Sequence, residues 1–172
     1  MKQWTLKPQD LLISLKIAVN PSRSFVLAEL ADELLIAISQ VHSSVVRAEQ
    51  ARLISRASGQ LKISPENLRE FVLFGAKYCF PGQLGPVGQG VPTAVAAPPL
   101  NKYLEQHEML APVWPSVEGE VRGPMLCPLH PSVPTAVRTD PGLYEVLALF
   151  DALRIGAARE RKLAVSELEK AL

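Results

Sequence analysis

The sequence predicts a mainly α-helical fold with a proline-rich middle, and three observations predict it. Apolar residues recur at helical spacing before residue 80 and after residue 142, with helix-starting signals in front of several of these runs. Twelve of the fifteen prolines and seven of the ten glycines fall between Pro81 and Gly142. Proline removes a backbone donor and fixes φ, so this stretch is expected to be neither regular helix nor central strand. Finally, 172 residues with 48% hydrophobic and 20% charged side chains are enough to bury a real core. The expected organisation is a helical unit over 1–80, an ordered irregular segment over 81–142, and packing or dimerising helices over 143–172.

The N-terminal elements follow in order. Lys7–Val19 carries Leu11, Leu12, Leu15, Ile17, Ala18 and Val19 on one broad apolar face; Pro8 suits the first helical turn and Asn20-Pro21 ends it. Phe25–Leu34 places Val26, Leu27, Leu30, Ala31 and Leu34 at helical spacing behind Ser24, a natural N-cap. After a three-residue break, Ile38–Arg52 is helical again, with Val41, Val45 and Ala48 on one stripe. Leu53–Ser55 and Leu61–Ile63 read as two short strands around a turn at Arg56–Gln60. Ser64-Pro65-Glu66 then opens a fourth helix running to about Tyr78. Three helices, a two-stranded ribbon and a helix are the order of a winged helix.

The run LAELADELLIAISQVHSSVVRAEQARLI resembles the helix-turn-helix of winged-helix bacterial regulators of the MarR-like kind. Ala28 or Ala31 takes the small-residue place where the two helices cross. Leu30, Leu34, Val41 and Val45 take the apolar core places, and Ala51-Arg52-Leu53-Ile54 leads into the wing. The resemblance covers about residues 7–78. Two positions depart from it: Leu35 stands where the turn normally has Gly, and Ala37 where the N-cap is normally Ser, Thr or Asp. Glycine is preferred where φ is positive, so Leu35 implies a strained or differently shaped turn.

With Val41, Val45 and Ala48 inward, Ser39, Gln40, His42, Ser43 and Arg47 are expected outward as a base-reading face. Gln pairs with adenine, Arg with guanine, and Ser with either base or phosphate. Arg52, Arg56 and Lys62 are expected on phosphates. On this reading Arg47→Ala costs about 1–3 kcal/mol of binding and relaxes specificity at one base position. The resemblance further implies a homodimer on an approximate palindrome with half-site centres about 34 Å apart. The terminal helices and the helix over 7–19 are the candidate interface. Charge agrees weakly: the net charge is +1, and ten Lys/Arg against seven Asp/Glu lie before residue 81.

The alternative from another class is a protein-interaction module, such as an antitoxin or adaptor. Its winged helix and residues 81–142 would dock on a partner protein, since polar residues on a helix face are also ordinary solvated surface. Residues 81–142 are no polar linker: Leu84, Val87, Val91, Leu100, Tyr103, Met109, Val113, Trp114 and Leu126 need burial, and a short helix is expected around Leu100–Met109.

Other chemistry is thinly represented. Cys127-Pro-Leu-His130 has CxxH spacing, but one pair does not make a structural zinc site, so no metal or other cofactor is expected. The expectation is a small buried Cys127 and a surface or loop His130. GxSxG, HExxH and a P-loop lysine are lacking, and the prolines of Pro81–Gly90 remove donors a phosphate loop uses; no enzyme is expected. Glu118-Gly-Glu120 reads as a charged hairpin from Val117 to Val121. Asp140-Pro141 starts a helix broken at Gly156, and 157–172 forms another. Arg154, Arg159, Arg161 and Lys162 there are either a solvated face with internal ion pairs or a contact for an acidic partner or effector. No apolar run approaches the ~18 residues of a membrane span, and Asp10 precedes the first short one. Two cysteines make no disulfide framework, and a cytoplasmic protein is expected.

Overall fold

The helix starts marked by Pro8, Pro65 and Asp140-Pro141 form where the sequence places them. In the computed structural model, which describes residues 4–57, 59–103 and 111–172, α1 spans Pro8–Ala18, α2 Leu27–Leu34 and α3 Ile38–Gln50. The antiparallel hairpin β1 (Ile54–Ala57) and β2 (Gln60–Ile63) follows, turning at Gly59 with φ of +79°. Next, α4 (Pro65–Glu70) continues through a π-helical turn at Phe71–Gly75 into α5 (Ala76–Cys79). Leu35 adopts the left-handed region at φ +54°, the strained turn its side chain implied. Val26, not Ser24, occupies the N-cap of α2.

The mainly α, irregular-wrap expectation is overturned by residues 84–126, which make the protein mixed α/β. Strands β3 (Leu84–Pro92), β4 (Val113–Pro115) and β5 (Val121–Leu126) close on themselves. β3 lies antiparallel to both others, and a single parallel bridge from Val113 to Met125 completes the ring. Three of the four strand prolines sit where a ladder tolerates them: Pro92 and Pro115 end their strands, and Pro86 falls in the register break between Leu84 and Val87, while Pro124 stands inside β5 opposite Val87, next to that break. Glycine permits the closure. A Cβ on Gly90 would lie 2.0 Å from the Trp114 carbonyl oxygen, and one on Gly123 1.7 Å from that of Ala111. The expected hairpin over Val117–Val121 is instead a turn at Ser116–Gly119 joining β4 to β5, which run parallel. Of the helix expected around Leu100–Met109, Leu100–Lys102 is one 3₁₀ turn, and 104–110 lie outside the described residues.

A short helix α6 (Val133–Ala136) leads to the C-terminal pair α7 (Pro141–Ile155) and α8 (Ala158–Ala171). One hydrophobic cluster runs from Leu11 to Leu168, joining N-terminal helices, sheet and C-terminal pair. At its centre α1 is buried on every side from Asp10 to Ile17, and α7 is buried from Val146 to Leu153. Neither is therefore free to serve as the expected dimer interface; α8, with Ala164 and Leu168 buried and much of its remaining surface open, is. Among the described residues, no helix is long and apolar enough to cross a membrane.

A helix buried all round needs partners for its polar side chains. Ser14 donates to the Asp10 carbonyl, and Lys16 Nζ lies 2.6 Å from both Glu33 Oε2 and Asp140 Oδ2. Asp140 also accepts the Leu143 N–H as the N-cap of α7, and Asn20 Nδ2 reaches the same carboxylate. Hydrogen bonds from Arg23, and then from Lys16, bring the Glu33 carboxyl down to about 2 against the opposing effect of burial. Burial pushes Asp140 up, but Lys16, the Leu143 N–H and Asn20 outweigh it and hold the group below its ordinary value. Both carboxyls bind protons more tightly unfolded than folded, so their contribution is present above the unfolded value and lost on acidification. Stability is expected to fall as pH drops from about 4.5 towards about 2. Urea unfolding across that window checks this; Arg23→Gln should flatten the slope, and an unchanged slope would contradict the assignment.

Candidate nucleic-acid interface

The N-terminal half of α3 presents one open face. Ser39, Gln40, His42 and Ser43 are exposed there, while Val41, Ser44, Val45 and Ala48 are buried against the core. Ala37 caps the helix without a side-chain hydrogen bond, so the first N–H groups of α3 gain nothing from it. The Ser43 hydroxyl donates to the Ser39 carbonyl at 3.0 Å, leaving its oxygen to accept from elsewhere. Leu35 and Ile38 are exposed beside this face, at 57% and 54%, and Val26 at 60%.

Arg47 does not belong to it. Its guanidinium turns to α1 and holds the Asp10 carboxylate with two hydrogen bonds, Nε to Oδ2 and Nη2 to Oδ1, both 2.7 Å. The Arg47 side chain is only 11% exposed and that of Asp10 is fully buried. The reason is electrostatic: an acid enclosed by α1 needs a countercharge, and Arg47 lies on the side of α3 that packs against α1. The sequence carried a signal for this pairing, since Asp10 stands at the head of an apolar run and would otherwise be buried alone.

The other cations are divided. Arg52 follows α3 in a left-handed conformation, φ +60°, with its carbonyl held by Asn67 Nδ2, and its side chain is exposed. Arg56 on β1 pairs with Glu49 of α3 at 2.8 Å, and these residues with Arg52 line a recess between α3, the hairpin and α4. Lys62 is exposed on β2 and lines a separate cavity of about 680 Å³ with Arg23 and Lys170, on the side of α1 and α8. The structure thus brings Arg52 and Arg56 together and sets Lys62 apart. The Arg56–Glu49 pair is half in solvent, and such pairs contribute about 0–1 kcal/mol, so exchange for another anion costs little.

The CxxH pair is spread between surface and loop. Cys127 is exposed, contrary to the expected burial, and the His130 Nδ1 pairs with the Ser132 hydroxyl at 2.8 Å. Burial lowers the His130 imidazole from its ordinary value. Among the described residues no three His, Cys, Asp or Glu side chains gather as metal ligands.

Comparison with known proteins finds no matching family model, no matching curated protein and no matching solved structure. The open α3 face and the hairpin beside it are therefore the basis for a functional reading.

Proposed function

We propose that this protein binds double-stranded DNA through α3 and the β1–β2 hairpin and acts as a cytoplasmic transcriptional regulator. The observation that carries the reading is a contiguous hydrogen-bonding face, Ser39, Gln40, His42 and Ser43, exposed at the start of α3 beside an exposed hairpin. Gln40 supplies the bidentate amide that suits adenine, and the hydroxyls and imidazole suit base edges or phosphate. Exposed Ile38 offers the apolar contact that a thymine methyl takes. Arg52 and Arg56 supply phosphate contacts, whereas Lys62 faces the α1 and α8 side and Arg47 supplies none because Asp10 occupies it. Two copies on one palindrome complete this reading, with α8 as the candidate interface.

Gln40 tests it. Gln40→Ala removes an exposed side chain and should leave the fold intact while lowering preference for one base position by about tenfold, equivalent to the ~1–3 kcal/mol of a bidentate base contact. Fluorescence anisotropy against duplex DNA from upstream of the protein's own gene, with a scrambled duplex as control, reads this directly. Equal affinities for both duplexes, in the parent and in Gln40→Ala, would refute base reading.

A second reading, docking on a partner protein through residues 81–142, is favoured by large apolar side chains left open there. Leu84, Val87 and Val117 are exposed at 48%, 60% and 92%. Val117 lies near β3, since Gln89 Nε2 donates to its carbonyl. Binding that is equal on both duplexes would put this reading first.

A further inference from the structure

A small recess between α5, α7 and α8, far in sequence from the α3 face, has its own chemistry. It encloses about 290 Å³ and is lined by Lys77, Tyr78, Leu153, Arg154 and Arg161. Three of these five side chains are cationic and none is acidic. Arg154 is the fixed member, with a side chain only 4% exposed. Its Nε and Nη2 hold Asp151, a second Nη2 hydrogen reaches the Cys127 carbonyl, and Nη1 reaches that of Phe80. Asp151 balances its charge, and one Nη1 hydrogen of its five remains for a ligand.

Lys77 and Arg161 have no such balance. Among the described residues neither forms an ion pair. Arg161 Nη1 is anchored on the Gly156 carbonyl at 2.6 Å, which leaves the other guanidinium hydrogens for an acceptor. Lys77 Nζ stands 5.0 Å over the Tyr78 ring. Glu160, the nearest acid in sequence, is engaged elsewhere, accepting the Ala157 N–H at 2.7 Å. The recess therefore carries two positive charges without an ion-pair partner among the described residues, one on an anchored planar fork and one on an ammonium over the Tyr78 ring.

We propose that this recess binds the phosphate group of a small phosphate monoester. Such a group carries about −1.5 to −2 at pH 7 and offers three acceptor oxygens, matching two free cations and a fork of N–H donors. The volume lies just below the ~300–1,000 Å³ of ordinary small-molecule sites, so the ligand is small. Because α5 ends the N-terminal helices while α7 and α8 form the C-terminal pair, an occupant joins the two through Lys77 and Arg161.

Isothermal titration of the full chain with inorganic phosphate and with phenyl phosphate, against chloride at matched ionic strength, tests the site. One saturable site per chain is expected for both phosphates and none for chloride. Arg161→Gln and Lys77→Gln/Arg161→Gln should weaken binding at least tenfold, whereas Arg161→Lys should retain part of it. Circular dichroism confirms that each variant folds; Arg161 is exposed, so its single variant carries the test should the double one unfold. The absence of a saturable phosphate signal, or variants that bind like the parent, would overturn the proposal. So would loss of duplex DNA affinity in Arg161→Gln without phosphate saturation in the parent, since the recess would then serve a nucleic-acid backbone.

Discussion

Arg47→Ala is expected to lower folding stability by about 3–5 kcal/mol, because it strands a fully buried carboxylate. Among the described residues Asp10 has only the Lys7 N–H at 2.8 Å besides the two guanidinium bonds, and it is fully buried. Asp10→Ala should be comparably harmful, leaving a guanidinium that is 11% exposed without its partner. Removing both charges with Asp10→Leu/Arg47→Met should restore much of the loss, since well-packed apolar pairs often replace buried ion pairs at little cost. Urea unfolding of the parent, Arg47→Ala, Asp10→Ala and Asp10→Ala/Arg47→Ala gives the coupling as a double-mutant cycle. A loss below about 1 kcal/mol in Arg47→Ala would show that the pair contributes as a surface pair does, and would reopen a binding role for Arg47.

The second large effect is expected at Asp151, which is 2% exposed and joins the closed sheet to α7. Its Oδ2 accepts the Thr93 hydroxyl at 2.7 Å and the Trp114 indole N–H at 2.6 Å, while Oδ1 takes Arg154. Asp151→Ala removes the acceptor of the Thr93 hydroxyl, the Trp114 indole N–H and the Arg154 Nε–H, leaves the Arg154 charge on backbone carbonyls alone, and should cost about 3–5 kcal/mol. Asp151→Asn keeps an acceptor oxygen but removes the countercharge of Arg154 and should fall between. Trp114 is 1% exposed, so its fluorescence reports the loss of packing alongside urea unfolding. A variant with parent-like stability would mean that apolar contacts and the Tyr144 hydroxyl bond to the Pro92 carbonyl suffice to hold the sheet to α7.

These two carboxylates also show where sequence reading stops. Starts such as Pro8, Pro65 and Asp140-Pro141 were legible because cap and first-turn signals are local; Leu35 marked a strained or differently shaped turn, and the left-handed conformation decides between them. The exposed half of the α3 face was legible from one helical stripe, as Ser39, Gln40, His42 and Ser43 show. Arg47 was not, because its direction is decided by an acid 37 residues away. The closed sheet was hidden for the same reason. Glycine and proline read locally as breakers, whereas Gly90 and Gly123 allow close backbone approach and Pro86 fills a register break. The charge cluster near the C-terminus divided likewise: Arg154 is a buried anchor, while Arg161 stays open.

DNA reading by α3 and the hairpin is tested most directly by selection from a randomised duplex pool, followed by anisotropy of the enriched duplex across a salt series. Arg52 and Arg56 allow about two phosphate contacts per chain, so log affinity should fall with log salt at a slope of about −2 per chain. The expected result is an enriched sequence, bound with that slope and discriminated less well by Gln40→Ala. A pool that yields no enriched sequence, with equally weak binding to every duplex, would contradict DNA reading.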